Sequence, residues 1–375
     1  MSWSEKSLDE LGFVSRGRSK HRPRDAAHLY GGQYPFVQTG DVKHAGLYLT
    51  EYSQTYSEEG LAQSKLWPVG TLCITIAANI ADTSILAIDA CFPDSVIGFI
   101  PDPKKADARF VKYLFDAVLK LRYRQFTQGA AQDNLSQAKL LALKFLVPDD
   151  VTEQSKIADF IAIYDELIEN NRRRIKLLEE SARLLYQEWF VHLRFPGHEQ
   201  VKITDGVPEG WNKKPLKQVA TLNYGKALKA EVRVPGLFPV YGSSGEVGSH
   251  EKPLVKGPVI VVGRKGNVGS IYWANTDFYP IDTVYFISAE ESSLFLYHAL
   301  KNVQFINTDV AVPGLNRDMA YSREILIPDG KNYHRFMSEV QPIQEQVNKL
   351  QDYNNKLAQA RDLLLPKLMN GELTV

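Results

Sequence analysis

The sequence predicts a mixed α/β protein with a two-fold repeated plan, in which two related globular domains are separated by a long antiparallel two-helix coiled coil. Three observations predict it. Landmark residues recur in order along the chain, two long stretches carry an unbroken 3.5-residue period, and a globular segment of short β-rich runs mixed with helical patterns precedes each stretch.

The repeat begins with Trp3, Leu8, Gly17 and Arg18, which return as Trp211, Leu216, Gly225 and Lys226, all displaced by 208 positions. Tyr34-Pro35-Phe36-Val37 then resembles Phe238-Pro239-Val240-Tyr241, and Leu146-Val147-Pro148-Asp149 resembles Leu326-Ile327-Pro328-Asp329, where the displacement has shrunk to 180. An ordered series of this kind signals one architecture used twice, with loops of different length. The expected division is residues 1–150 for a first globular domain, 151–195 for a first long helix, 196–330 for a second domain and 331–375 for a second long helix. Inside the globular parts, residues 71–76 and 258–262 read as strands and 110–126 as a helix, with Gly, Pro and Asn between them, so mixed sheets are expected.

In the first long helix, Ile157, Ile161, Tyr164, Ile168, Asn171, Ile175, Leu178, Ala182, Leu185 and Trp189 alternate spacings of four and three. Phe336, Val340, Ile343, Val347, Leu350, Asn354, Leu357, Arg361, Leu364 and Leu368 do the same in the second. This is a coiled-coil seam; the alternative is an amphipathic helix packed on a nearby domain. Two matched seams are most simply buried against each other. Each would be about 50 Å long, and the second domain leaves the end of one helix to enter the start of the other. Parallel helices would force that domain to bridge the whole length, so an antiparallel pair is expected, with the chain termini close together. Pro342 is expected in the first turn of the main second helix, and Pro366 is expected to end or kink it.

Composition narrows the class. An apolar fraction of 44%, with 17 Phe and 18 Tyr, excludes a disordered chain, and no stretch is apolar enough for a membrane span. The polar N-terminus lacks a secretory pattern, so a cytoplasmic location is expected. Cys73 and Cys91 fit neither a disulfide framework nor a metal knuckle and read as reduced, buried thiols. The 44 basic and 44 acidic side chains cancel, which argues against a general polyanion sponge but leaves open a binder whose charge is locally concentrated.

Residues 184–197 read LLYQEWFVHLRFPG, followed by Val207-Pro208-Glu209-Gly210-Trp211, and residues 361–373 read RDLLLPKLMNGEL. These resemble the central and C-terminal conserved regions of type I restriction-modification specificity subunits. YPFVQTGDV at 34–42 with LCITIAANIADTSIL at 72–86, and FPVYGSSGEVG at 238–248 with GRKGNVGS at 263–270 and AVPGLNRD at 311–318, are similar to that family's target-recognition domains. The likeness runs through essentially the whole chain in the family's order. It implies a non-catalytic subunit that reads double-stranded DNA and carries two adenine methyltransferase subunits on its helices, joined by motor-nuclease subunits. S-adenosylmethionine, ATP and Mg are implied for those partners, and no cofactor is expected on this chain. Because the two halves differ in nearly every loop, the bipartite target should be asymmetric.

Read from the residues themselves, Arg16, Arg18, Lys20, Arg22 and Arg24 form either an arm that neutralises phosphates or enters a groove, or an exposed, solvated basic loop. Lys226, Lys229 and Arg233 stand at the related place in the second half. Gln38, Thr39 and Asp41, and Ser243 with Ser244, offer short polar groups for base edges, though such residues also cap turns. The glycines around Arg264 and Lys265 suit a tight loop presenting Arg264, whose fork fits guanine or phosphate. Gln132 with Asn134, and Asn316 with Arg317, hold matching places near each domain's end. No NPPY or DPPY, P-loop or HExxH is present, the GxxGxxG at 263–269 is not a dinucleotide fingerprint, and His192 and His198 straddle a Pro-Gly turn rather than pairing as ligands. Asp94 with Lys104 fits a nuclease site no better than chance. The pattern favours a binder; the rivals are a coiled-coil adaptor whose terminal domains bind proteins, and a self-contained nuclease or methyltransferase.

Overall fold

A computed structural model describes residues 2–77, 80–126, 135–305 and 314–375, with side chains left aside for 119–126. It divides into two compact units, Met1–Arg173 with Asp352–Val375, and Arg174–Gln351. The division runs through the middle of both long helices, Val151–Tyr186 and Gly330–Met369, so each unit includes half of each helix.

The first unit holds a five-stranded sheet in the order Gly12–Arg16, Val96–Pro101, Leu72–Thr75, Thr83–Leu86, Tyr48–Leu49, with only the last pair parallel. Side chains alternate across a strand, and here the alternation feeds two cores. Leu72 and Ile74 pack with Phe110, Phe115 and Ile161 below, while Cys73 packs with Trp67, Phe92 and Val37 above. A second sheet, Gln54–Tyr56, Tyr30–Phe36, Ala90–Cys91, Leu66–Trp67, includes a parallel pairing at Phe36 and Cys91. Cys73 and Cys91 are buried and unbridged.

The second unit repeats this plan. Its main sheet runs Asn223–Tyr224, Val284–Ile287, Val259–Gly263, Ile271–Ala274, and its second runs Gly245–His250, Phe238–Gly242, Tyr279–Pro280, the last pair again parallel. Ile260 and Val262 face one core and Val259 and Val261 the other. Strand Trp3–Lys6 pairs with Phe145–Pro148 in the first unit, and Asn212–Pro215 pairs with Glu324–Ile327 in the second. The recurring glycines have a shared cause. A Cβ on Gly17 would lie 2.3 Å from the Phe92 carbonyl oxygen, and one on Gly225 would lie 2.0 Å from that of Ile281. Only glycine lets the edge strand approach so closely.

Every position of both seams is buried or half-buried. The pairing is antiparallel within each unit. In the first, Asn171 Nδ2 donates to Asn354 Oδ1 at 3.0 Å, Arg361 meets Asp165 at 2.5 Å, and Leu365 and Leu368 share a core with Ile157 and Ile161. In the second, Phe336 meets Tyr186 and Trp189. The polar Asn171–Asn354 pair within the seam penalises slipped registers. Near their ends the seams merge into the globular cores, so the coiled-coil and packed-helix readings each hold over part of their length. Trp3 lies against Gly371, which brings the chain ends together.

The anchoring differs between units. In the first, buried Gln154 donates to the carbonyls of Pro148 and Lys105 and accepts from the Asp107 amide, fixing the helix start with three hydrogen bonds. In the second, a π turn at Gln187–Val191 follows the helix, and its extra residue per turn lets both Trp189 and Phe190 reach the core. Pro342 corrects an expectation, and Pro366 does not end the helix at its own position. The second long helix starts at Gly330, where the Asp329 carboxylate accepts the Asn332 amide at 2.9 Å, and it runs through Pro342 and past Pro366. Both prolines are exposed, and the missing hydrogen bonds are offset by burial of Val340, Leu365 and Leu368 beside them. No helix among the described residues is long and apolar enough to cross a membrane.

Candidate nucleic-acid interface

Both units build their candidate surface on one frame. In the first, the Arg18 amide donates to the Phe92 carbonyl at 3.0 Å and the Val37 amide to that of Cys91 at 2.8 Å, so the basic arm and the Gln38 turn spring from adjacent residues at the end of strand Ala90–Cys91. In the second, the Lys226 amide donates to the Pro280 carbonyl at 3.0 Å and the Ile281 amide to that of Tyr241 at 2.9 Å.

The first unit's arm is braced rather than freely solvated. Arg16 Nε donates to the Asp94 carbonyl and Arg18 Nε to that of Ser64, both at 2.8 Å. Arg22 donates to the carbonyls of Ser19 and His21, and Arg24 pairs with the Asp94 carboxylate at 2.9 Å. These side chains remain exposed, so their other N–H groups face outward from fixed positions. Lys20 is exposed as well. Asp94 neutralises Arg24, which gives it a structural role.

The 38–41 segment is partly occupied by capping. Asp41 accepts the Gln38 amide at 2.7 Å at the start of helix Thr39–His44 and also accepts the Ser53 hydroxyl, so its carboxylate acts as a turn cap. Gln38 Nε2 donates to Gln54 Oε1 at 2.7 Å, and Thr39 is half-buried.

The second unit gathers most of its predicted residues on one ridge. The Leu315 amide donates to the Arg264 carbonyl at 2.7 Å, and Lys265 bridges Gly314, so the 263–270 loop is stapled to the segment leading into Arg317. Ser270 Oγ donates to the Ser243 carbonyl at 2.6 Å, which fastens the Ser243-Ser244 hairpin to the same loop. Ser243 is buried; Ser244, Lys265 and Arg317 are exposed. Asn316 is exposed and serves as an N-cap, its Oδ1 accepting the Asp318 amide at 2.8 Å. Arg233 is spent inside the protein on the Val247 and Leu228 carbonyls, whereas Lys226 and Lys229 remain exposed. Gln132 and Asn134 lie outside the described residues.

Two features of these surfaces were not singled out from sequence. Tyr224, 49% exposed on the edge strand, has the Arg264 guanidinium 5.0 Å and the Arg317 guanidinium 5.1 Å from its ring centre. Tyr285 lies beneath it at 5.1 Å; its hydroxyl donates to the Leu315 carbonyl, and burial holds its phenol above the ordinary value. In the first unit, Lys65 sits 4.7 Å over exposed Phe13 and 3.7 Å over buried Trp67, and burial followed by the Arg18 charge pushes its ammonium down. Tyr224 precedes a repeated glycine, the one sequence signal that could have drawn attention to it.

Comparison with known proteins is consistent with this layout. Residues 1–180 and 208–356 match the type I restriction modification DNA specificity domain. Over the full chain, 23% identity relates it to the type I restriction enzyme MjaIX specificity subunit of Methanocaldococcus jannaschii, of which 94% is covered. The HindI specificity subunit of Haemophilus influenzae is 21% identical over 99% of both chains. The fold is shared with the crystal structure of a type I restriction-modification system S subunit from M. genitalium, at a TM-score of 0.55 and 17% identity over 98% of this chain and 96% of that one.

Proposed function

This chain belongs to the type I restriction-modification DNA specificity family, and from that premise we propose that it reads an asymmetric, bipartite double-stranded DNA target, one half-site per unit. A specificity subunit is the non-catalytic member of its system, so recognition is what this chain contributes. The observation that carries the bipartite reading is a common frame with different side chains. Arg18 and Lys226 leave equivalent backbone positions, yet Arg16 stands where the second unit has Tyr224, and the Gln38 turn stands where it has the Ser243-Ser244 hairpin. Equivalent backbones support equivalent docking, and unlike side chains support unlike half-sites.

The long helices are proposed to carry two adenine methyltransferase subunits, with motor-nuclease subunits joining them. Away from the seam, Ile163, Leu167 and Leu363 are exposed in the first unit, and Leu177, Leu184 and Val191 in the second. Exposed aliphatics at this density on a helix favour a partner surface. S-adenosylmethionine, ATP and Mg belong, in this reading, to the partners, and the assembly works in the cytoplasm. Co-expression with a type I adenine methyltransferase subunit from the same genome, followed by methylation sequencing of host DNA, tests the proposal. One bipartite sequence with two dissimilar halves is expected; a palindromic target, or methylation independent of this chain, would refute it. An adaptor that binds only proteins would confer no sequence-dependent DNA affinity in the same experiment.

A further inference from the structure

Arg264 and Arg317 come from separate segments, yet their guanidiniums lie 5.0 and 5.1 Å from the centre of one ring, that of Tyr224. The two cations therefore sit within about 10 Å of each other, a Debye length at ordinary ionic strength. Neither pairs with a carboxylate among the described residues, in contrast to Arg24 on Asp94. Arg264 is held firmly, its Nη1 donating to the Asp282 carbonyl at 3.0 Å and its backbone bonded to Thr283 and Leu315. Arg317, exposed at the start of helix Arg317–Tyr321, has ring contacts with Tyr224 and Tyr321. Two unneutralised cations concentrated on a half-exposed ring suit a polyanion with flat faces.

We propose that Tyr224 is a positioning and specificity-determining residue for the half-site read by the second unit, its ring holding Arg264 and Arg317 as one fork on the DNA. This rests on the DNA-reading function above and extends it to a residue and a coupling. The ring attracts each guanidinium through its negative face, reducing the freedom each would lose on binding. The two arginines then act together rather than independently.

The test uses the full chain in complex with its methyltransferase subunits, titrated against duplexes carrying the intact target or either half-site scrambled. Tyr224→Leu is expected to weaken the intact target about 5-fold, with no change in discrimination at the other half-site. Tyr224→Phe keeps the ring and is expected to bind within about 2-fold of wild type. Adding Tyr224→Leu to the pair Arg264→Ala and Arg317→Ala should weaken binding no further, because the ring acts through the two arginines. Wild-type binding by Tyr224→Leu, or a further loss in that triple variant, would overturn the coupling while leaving Arg264 and Arg317 as separate contacts. If Arg264→Ala and Arg317→Ala are both silent on every duplex, the ridge is not the interface and the inference falls with it. Circular dichroism of Tyr224→Leu should match wild type, since the residue sits at an exposed edge; a loss of fold would overturn its assignment as a surface positioning residue.

Discussion

Replacing Gly225 by alanine would place a Cβ 2.0 Å from the Ile281 carbonyl oxygen, 2.7 Å from its carbon and 2.8 Å from the Pro280 oxygen. All three are backbone atoms, so no rotamer change relieves the clash. The edge strand must move away, breaking the bonds from the Gly225 amide to Val284 at 3.1 Å and from the Lys226 amide to Pro280 at 3.0 Å. Two backbone bonds at about 1 kcal/mol each, together with an overpacking cost of about 1–3 kcal/mol, predict a loss of roughly 3–5 kcal/mol, a large part of the ~5–15 kcal/mol that holds a domain folded. Because the protein has two compact units, a single melting curve would blend them. Hydrogen exchange, read separately for residues 259–287 and for the first unit, isolates the effect. Gly17→Ala should produce the mirror result, its Cβ meeting the Phe92 and Pro93 oxygens at 2.3 and 2.4 Å. Gly40→Ala, with nothing within 4 Å in a short helix, should be neutral or stabilising by about 0.5–1 kcal/mol. Wild-type protection in Gly225→Ala would refute the close-approach argument.

Combining Ile168→Asp with Ile175→Asp puts carboxylates into the seam, where Ile168 is 6% exposed; the cost should be several kcal/mol, and co-purification with the methyltransferase subunit should be lost. Arg361→Ala leaves Asp165, 10% exposed, with the Tyr113 hydroxyl at 2.8 Å as its one remaining partner among the described residues; urea denaturation should show a loss of about 3–5 kcal/mol, partly restored by adding Asp165→Asn. His298 is buried and its imidazole is held down to about 4, from an ordinary 6.5, by burial and then by the Lys301 charge. The folded state thus resists a proton that the unfolded chain takes up below about 6.5, so His298 makes stability fall as pH drops from there toward 4, by at most about 1.4 kcal/mol per pH unit. The difference in pH profile between wild type and His298→Gln measures this, and identical profiles would contradict it.

The candidate site was legible in part. Arg264, Lys265, Arg317 and Ser244 were named from residue type and loop character, and the fold brings them onto one ridge. Asp41 and Asn316 were named on the same grounds, and the structure adds that each caps a helix, because a short polar side chain at a turn satisfies the nearest free amide. The arginines of the basic arm could be counted from sequence, but which carbonyl braces each depends on Ser64 and Asp94, dozens of residues away.

What the sequence determined by itself was the repeat, the seam and its antiparallel sense. Periodicity and spacing are local properties of the chain, and connectivity between two helices leaves few ways to join them. Only the tertiary structure decided that the compact units cut across both helices, that burial carries a helix through Pro342, and that Tyr224, Arg264, Tyr285 and Arg317 meet at one point. Those outcomes depend on contacts between distant segments, where side-chain burial and backbone pairing outweigh the preference of any single residue.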